Sequence, residues 1–194
     1  VYILDKVSSN QFVVNATWKL IEIFSSKIIS LFISILLARL LLPEVFGVIA
    51  LTTVFITFSD IFILNGFNVA IIRKDVVTET DYSTATCLSV GFSFVLYLAI
   101  FLAAPYIAGF YSTPELVSVL RIITILLFFQ AFTTIIRAKG TRDLAFKKMS
   151  VSSFVSSVTA GIIGVVMALL GCGVWSLVVQ QLLANLFEFV IMAV

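Results

Sequence analysis

The side chains in this sequence with chemistry to offer are ionisable groups set inside long apolar runs. Lys19, Glu22 and Lys27 fall in the first such run and Asp60 in the second. Arg39 and Arg121 stand near the ends of runs, and Gln181 and Asn185 share a face of the last. Cations placed this way can hold a phosphate or another anionic group, and carboxylates can hold a proton or a cation. Each ionised group costs roughly 2.5–3.5 kcal/mol to place at the centre of a bilayer, so each is a candidate functional residue.

Spacing gives these residues company. Asn15, Lys19, Glu22, Ser26, Ser30 and Ser34 recur at steps of three and four, which keeps them on one helical face. Lys27 sits at the edge of that stripe, about 12 Å deeper than Lys19. Such a face turns toward protein or water, and two readings stay open. It is a hydrated cationic wall, or Glu22 is neutralised locally by Lys19 or Lys27 while the shallower groups snorkel to the interface. Thr53, Thr57 and Asp60 share a face of the second run, with Asp60 expected at a depth close to that of Lys27. A Lys27–Asp60 pair would neutralise both, either as a structural clip or as an ion-sensitive gate. Gln130, Thr133, Thr134 and Arg137 form a third face, and Gln181, Ala184, Asn185 and Glu188 a fourth. Each fits a polar lining or interhelical hydrogen bonding. Ser152, Ser156, Ala160, Gly164, Ala168 and Cys172 are small residues at every fourth position, a pattern for close helix packing.

The elements that must carry these groups are membrane helices. Hydrophobic residues make up 61% of the 194-residue chain and charged residues 11%. Soluble domains carry about 45–50% and about 25%. Six stretches reach the length of about 20 residues that a span requires. They run over about 16–38, 45–67, 84–106, 116–136, 151–170 and 174–194. Leu42-Pro43-Glu44, the Tyr111–Glu115 segment and Gly171-Cys172-Gly173 supply turn chemistry between them.

Charge placement orients the path. Lys6, Lys19, Arg73, Lys74, Arg137, Lys139, Arg142, Lys147 and Lys148 fall on one side of a six-span path. Only Arg39 and Arg121 fall on the other. The basic side is therefore expected to be cytoplasmic, with the N-terminus inside. The basic stretch from Arg137 to Lys148 suits anionic headgroups, although its role as a topology signal would suffice. Cys87 and Cys172 then lie on opposite faces of the bilayer and are not expected to pair. The chain starts without Met and stops inside an apolar run, so it reads as a fragment with cut ends and without a signal peptide. Its 0 His, the lack of a P-loop or triad pattern and the short connections point away from an enzyme, a metal site, a cofactor or nucleic-acid binding.

Four segments carry a family resemblance. The run Ala38-Arg39-Leu40-Leu41-Leu42-Pro43-Glu44-Val45-Phe46-Gly47-Val48-Ile49-Ala50 resembles a signature of oligosaccharide flippases and polysaccharide exporters. These belong to the multidrug/oligosaccharidyl-lipid/polysaccharide exporter superfamily. Asn65-Gly66-Phe67-Asn68-Val69-Ala70-Ile71-Ile72-Arg73-Lys74, Gly140–Lys148 and Leu170–Val178 are similar to later stretches of the same family, in the same order. Asn65 stands where many relatives have Asp, so no charge role is attached to it. The branch most resembled serves colanic-acid and teichuronic-acid type polymers.

The resemblance implies an all-α integral membrane fold: a six-transmembrane-helix lobe, half of a MATE-like two-lobe transporter whose C-terminal lobe is absent here. It implies a cargo of undecaprenyl-pyrophosphate-linked oligosaccharide, the precursor of lipopolysaccharide, capsule or exopolysaccharide. The cargo would pass from the inner to the outer leaflet of the bacterial inner membrane by lobe rocking coupled to an ion gradient. Membrane lipids, the missing lobe and other polysaccharide-assembly proteins are the implied partners. On this reading Lys27, Asp60, Glu22, Arg39, Arg121, Gln181 and Asn185 are the candidates to line the cavity. Two alternatives remain at this point: a cation-coupled multidrug exporter of the same superfamily, and a membrane polymerase or glycosyltransferase of polysaccharide assembly.

Overall fold

A computed structural model of the protein describes residues 9–63, 78–143 and 145–193. Among the described residues seven helices follow one another: α1 Ser9–Leu40, α2 Pro43–Ile63, α3 Glu79–Phe110, α4 Glu115–Ile123, α5 Leu126–Arg142, α6 Phe146–Leu169 and α7 Val174–Ala193. Among the described residues every regular element is a helix. The sequences are apolar on nearly all sides, as membrane helices are. Phe24, Phe32, Val54, Val95 and Leu102 are each more than half exposed, which only a hydrocarbon surrounding tolerates on this scale.

Among the described residues five stretches are long and apolar enough to cross a membrane: Pro43–Ile61, Thr80–Phe110, Glu115–Arg142, Phe146–Leu169 and Val174–Ala193. The chain is a multi-pass membrane protein with an all-α lobe. The expected first span lies within α1, a helix of 32 residues that is not among those five; most of its side chains up to Glu22 lie outside the described set. The connection carrying Arg73 and Lys74 also lies outside the described residues.

The turns follow from local chemistry. Pro43 opens α2, where a missing N–H costs nothing. After α6, Gly171 and Gly173 take φ of +78° and +55°, a conformation that suits residues without a Cβ. The Cys172 N–H then closes back on the Met167 carbonyl at 3.1 Å. At the start of α3, the Asp81 carboxylate accepts from the Thr78 N–H and hydroxyl, at 2.9 Å each.

The stretch 116–136, expected as the fourth span, lies within the stretch Glu115–Arg142, which is built from two helices: α4 and α5 meet at Thr124 and Ile125. Neither Pro nor Gly is present. The Thr124 hydroxyl donates to the Leu120 carbonyl at 2.7 Å, and the Leu127 and Phe128 N–H groups reach carbonyls only three residues back, at 3.1 Å each. The ladder tightens for one turn and the axis shifts.

Packing places the helices. Leu116, Val119, Leu120 and Ile123 of α4 are completely buried and anchor the core, with Leu127, Ala131 and Val178. α3 packs on α4 and α5, and α7 packs on α5 and α6. α2 lies against α3, α4, α5 and α7. α1 lies along α6.

Candidate functional site

The small-residue stripe of α6 sets the distances between helices. Ser152, Ser156, Ala160, Gly164 and Ala168 are all buried. A Cβ on Gly164 would lie 2.9 Å from the Gln180 Cβ of α7, and a Cβ on Gly161 would lie 2.0 Å from the Ile33 Cδ1 of α1. α6 is therefore held tightly on two sides.

That close approach brings three helices together around one ion pair. Arg137 of α5 donates from Nε to Glu188 Oε1 of α7 at 2.8 Å, and its Nη2 makes a direct ion pair with the same oxygen. Nη2 also donates to the hydroxyl of Ser153 on α6 at 2.6 Å, and that hydroxyl donates on to Glu188 Oε1 at 3.2 Å. The two charged side chains are 29% and 20% exposed. A charged pair in this setting is tolerated because each partner cancels the other and the hydroxyl takes up the remaining valence. Both charges were visible on their faces in the sequence, but their pairing was not, and Ser153 was missed. The usable signal was opposite charge at similar depth in α5 and α7.

A second polar site lies nearer the middle of the bundle. Gln130 Nε2 of α5 faces Asp60 Oδ2 of α2 at 3.5 Å. Asp60 Oδ1, Gln130 Oε1, Ser89 Oγ and Thr133 Oγ1 are sealed from solvent and have no hydrogen-bond partner among the described residues. The antiparallel register of α3 on α5 is fixed by Ser93 Oγ to the Leu127 carbonyl (3.1 Å) and by Lys139 over the Tyr82 ring (5.4 Å). It puts Ser89 level with Gln130.

The expected Lys27–Asp60 pair is not formed. α1 packs along α6, while the Asp60 side of α2 turns inward toward α5. Lys27 is exposed and has no ion pair among the described residues. Whatever their depths, the two helices present the groups in different directions.

The remaining candidates separate. The Glu22 side chain lies outside the described set. Arg39 is exposed in the last turn of α1, where a cation suits the helix dipole. Arg121 lies over the Phe101 ring at 4.3 Å, with its Nε buried and unpartnered. Asn185 spends its amide on the Gln181 carbonyl one turn back, at 3.0 Å. Thr133 and Thr134 are 8% and 3% exposed, so that face of α5 is buried among helices. Among the described residues no group of Asp, Glu or Cys side chains is arranged to hold a metal ion.

Fold and site together define a multi-pass helical membrane protein with charged groups held between its spans. Comparison with known proteins gives the family. Residues 36–194 match the polysaccharide biosynthesis protein family, and the chain belongs to it. The resemblance read from the Ala38–Ala50 run is borne out. The chain is 30% identical over 152 residues to the succinoglycan biosynthesis transport protein ExoT of Rhizobium meliloti (strain 1021), covering 78% of this chain and 31% of ExoT. It is 36% identical over 69 residues to the teichuronic acid biosynthesis protein TuaB of Bacillus subtilis (strain 168), covering 36% of this chain and 14% of TuaB. The aligned region is thus under a third of the length of either relative. No solved structure matches the chain.

Proposed function

We propose that this chain is the N-terminal lobe of a transporter that moves a lipid-linked oligosaccharide from the cytoplasmic to the outer leaflet of the bacterial inner membrane. The observation that carries the reading is the similarity to ExoT over 78% of the chain, since that relative is named for transport in succinoglycan biosynthesis. Lysine and arginine placement supports a cytoplasmic N-terminus. The cargo is an undecaprenyl-pyrophosphate carrier, so its headgroup is multiply anionic and hydrophilic. It crosses by alternating access between this lobe and a second one, without covalent chemistry.

Residue roles follow from exposure and charge. Lys27, a cation within the expected first span, is exposed and without an ion pair among the described residues, so it is the group assigned to the pyrophosphate. Arg39 and Arg121 lie toward the opposite end of the bundle, where the headgroup would leave. Glu22, Gln181 and Asn185 are assigned to the hydrated wall, and Asp60 to the seam behind it. The polymer-assembly proteins that make and consume the cargo are the expected partners, besides membrane lipids.

The test is a strain lacking the gene. Lipid-linked repeat units should accumulate on the cytoplasmic leaflet and external polymer should fall. Unchanged polymer, with the repeat units still reaching the outer leaflet, would overturn the reading. Reporter fusions after Lys148 should report the cytoplasm.

A further inference from the structure

We propose that Asp60 binds a proton on Oδ1 and that Asp60 and Gln130 form a neutral acid–amide pair joining α2 to α5. An ionised carboxylate only accepts hydrogen bonds, whereas a protonated one also donates. Asp60 has one donor facing it, the Gln130 amide nitrogen, at the long distance of 3.5 Å from Oδ2. Its Oδ1 is sealed from solvent with no partner among the described residues, and so is the oxygen of that same amide. As an anion, Asp60 would leave two buried acceptors with nothing to accept. As an acid, Oδ1–H donates to Gln130 Oε1 while Nε2–H donates to Oδ2. One proton satisfies both orphaned oxygens in a closed two-bond pair.

The surroundings offer no other compensation for a negative charge. Ser89 is completely buried and Thr133 nearly so, and neither hydroxyl donates to Asp60. Among the described charged groups on the helices packed against α2, Arg137 is engaged with Glu188. Arg121 lies on Phe101 and Lys139 on Tyr82. Asp81 holds Thr78 at the start of α3, and Glu115 and Arg142 stand at helix ends. Cys87 and Tyr97, farther along α3, are not residue types that can supply a cation. No cation among the described residues is paired with Asp60.

The proton comes from water and forms an O–H bond to Oδ1, cancelling the carboxylate charge. Its release reverses this and removes one of the two bonds across the α2–α5 seam. The seam is therefore made by proton uptake and loosened by proton loss, whether or not the lobe carries a sugar.

Infrared spectroscopy of the full-length protein in lipid vesicles tests this. At neutral pH the wild type should show a protonated carboxyl C=O band that disappears in Asp60→Asn and persists in Glu188→Gln. In Gln130→Leu the band should shift to higher frequency as the hydrogen bond is lost. If Asp60→Asn fails to insert, isotope labelling of aspartate carboxyl carbon should shift the same band in wild-type protein. A wild-type spectrum with no aspartic acid band at neutral pH would overturn the proposal, as would a band indifferent to Gln130→Leu. The spectrum reads the proton without any cargo, so failure of the transport reading leaves this test intact.

Discussion

Glu188 and Asp60 are both carboxylates inside spans, yet they are held in opposite ways. Glu188 meets a guanidinium and a hydroxyl where α5, α6 and α7 converge. Asp60 meets a single amide between α2 and α5 and keeps one oxygen unpartnered. The first site cancels charge with charge and is built for permanence. The second has no counter-charge among the described residues and is the site whose bonding depends on a mobile proton. A membrane interior makes this contrast sharper than water would, because the cost of an uncompensated charge is larger there.

The largest effect should come from breaking the permanent site. Arg137→Ala leaves Glu188 without its partner and should lower the unfolding free energy in detergent by about 3–5 kcal/mol. An Arg137→Met, Glu188→Leu double variant should recover most of that loss, because the pair is removed whole. A single variant no less stable than wild type would erase the distinction between the sites.

Gly164→Ala attacks the seam that brings Glu188 into reach. The new Cβ meets the Gln180 Cβ near the α7 backbone, so the helices must part, at about 1–3 kcal/mol. Gly161→Ala meets Cδ1 and Cγ1 of Ile33, side-chain atoms that a rotamer change can move, and should cost about 1 kcal/mol. Equal losses from the two glycine variants would show that the α6–α7 seam is not special.

Asp60→Asn should be the mildest change. Asn copies the shape of the neutral acid and keeps an amide-to-amide bond, so the loss at neutral pH should stay under about 1 kcal/mol. A loss as large as that of Arg137→Ala would mean that the Asp60 negative charge is structural.

The same two sites show what a sequence discloses. Hydropathy places the spans, and helical spacing groups the polar residues on faces, because both depend only on position along the chain. Position along the spans also put Arg137 and Glu188 toward the same end, and the two are paired. Which helix stands beside which was not readable. Neighbour choice depends on α6 fitting its glycines against α1 and α7, a three-dimensional outcome. Hence Asp60 was matched with Lys27 rather than with Gln130, and the Arg137–Glu188 pair went unjoined. The break at Thr124 was hidden for another reason. It arises from a buried threonine bonding its own helix, and many threonines, such as Thr52 and Thr53, do the same without breaking theirs.

The transport reading rests on the similarity to ExoT and assigns the pyrophosphate to Lys27, which lies outside both carboxylate sites. The most direct measurement is transbilayer movement of a polyprenyl-pyrophosphate oligosaccharide in vesicles containing the full-length protein. The account predicts protein-dependent movement. It also predicts about a tenfold slowing in Lys27→Ala, the size of one charge-assisted hydrogen bond, with unfolding unchanged. Movement no faster than in protein-free vesicles would contradict it.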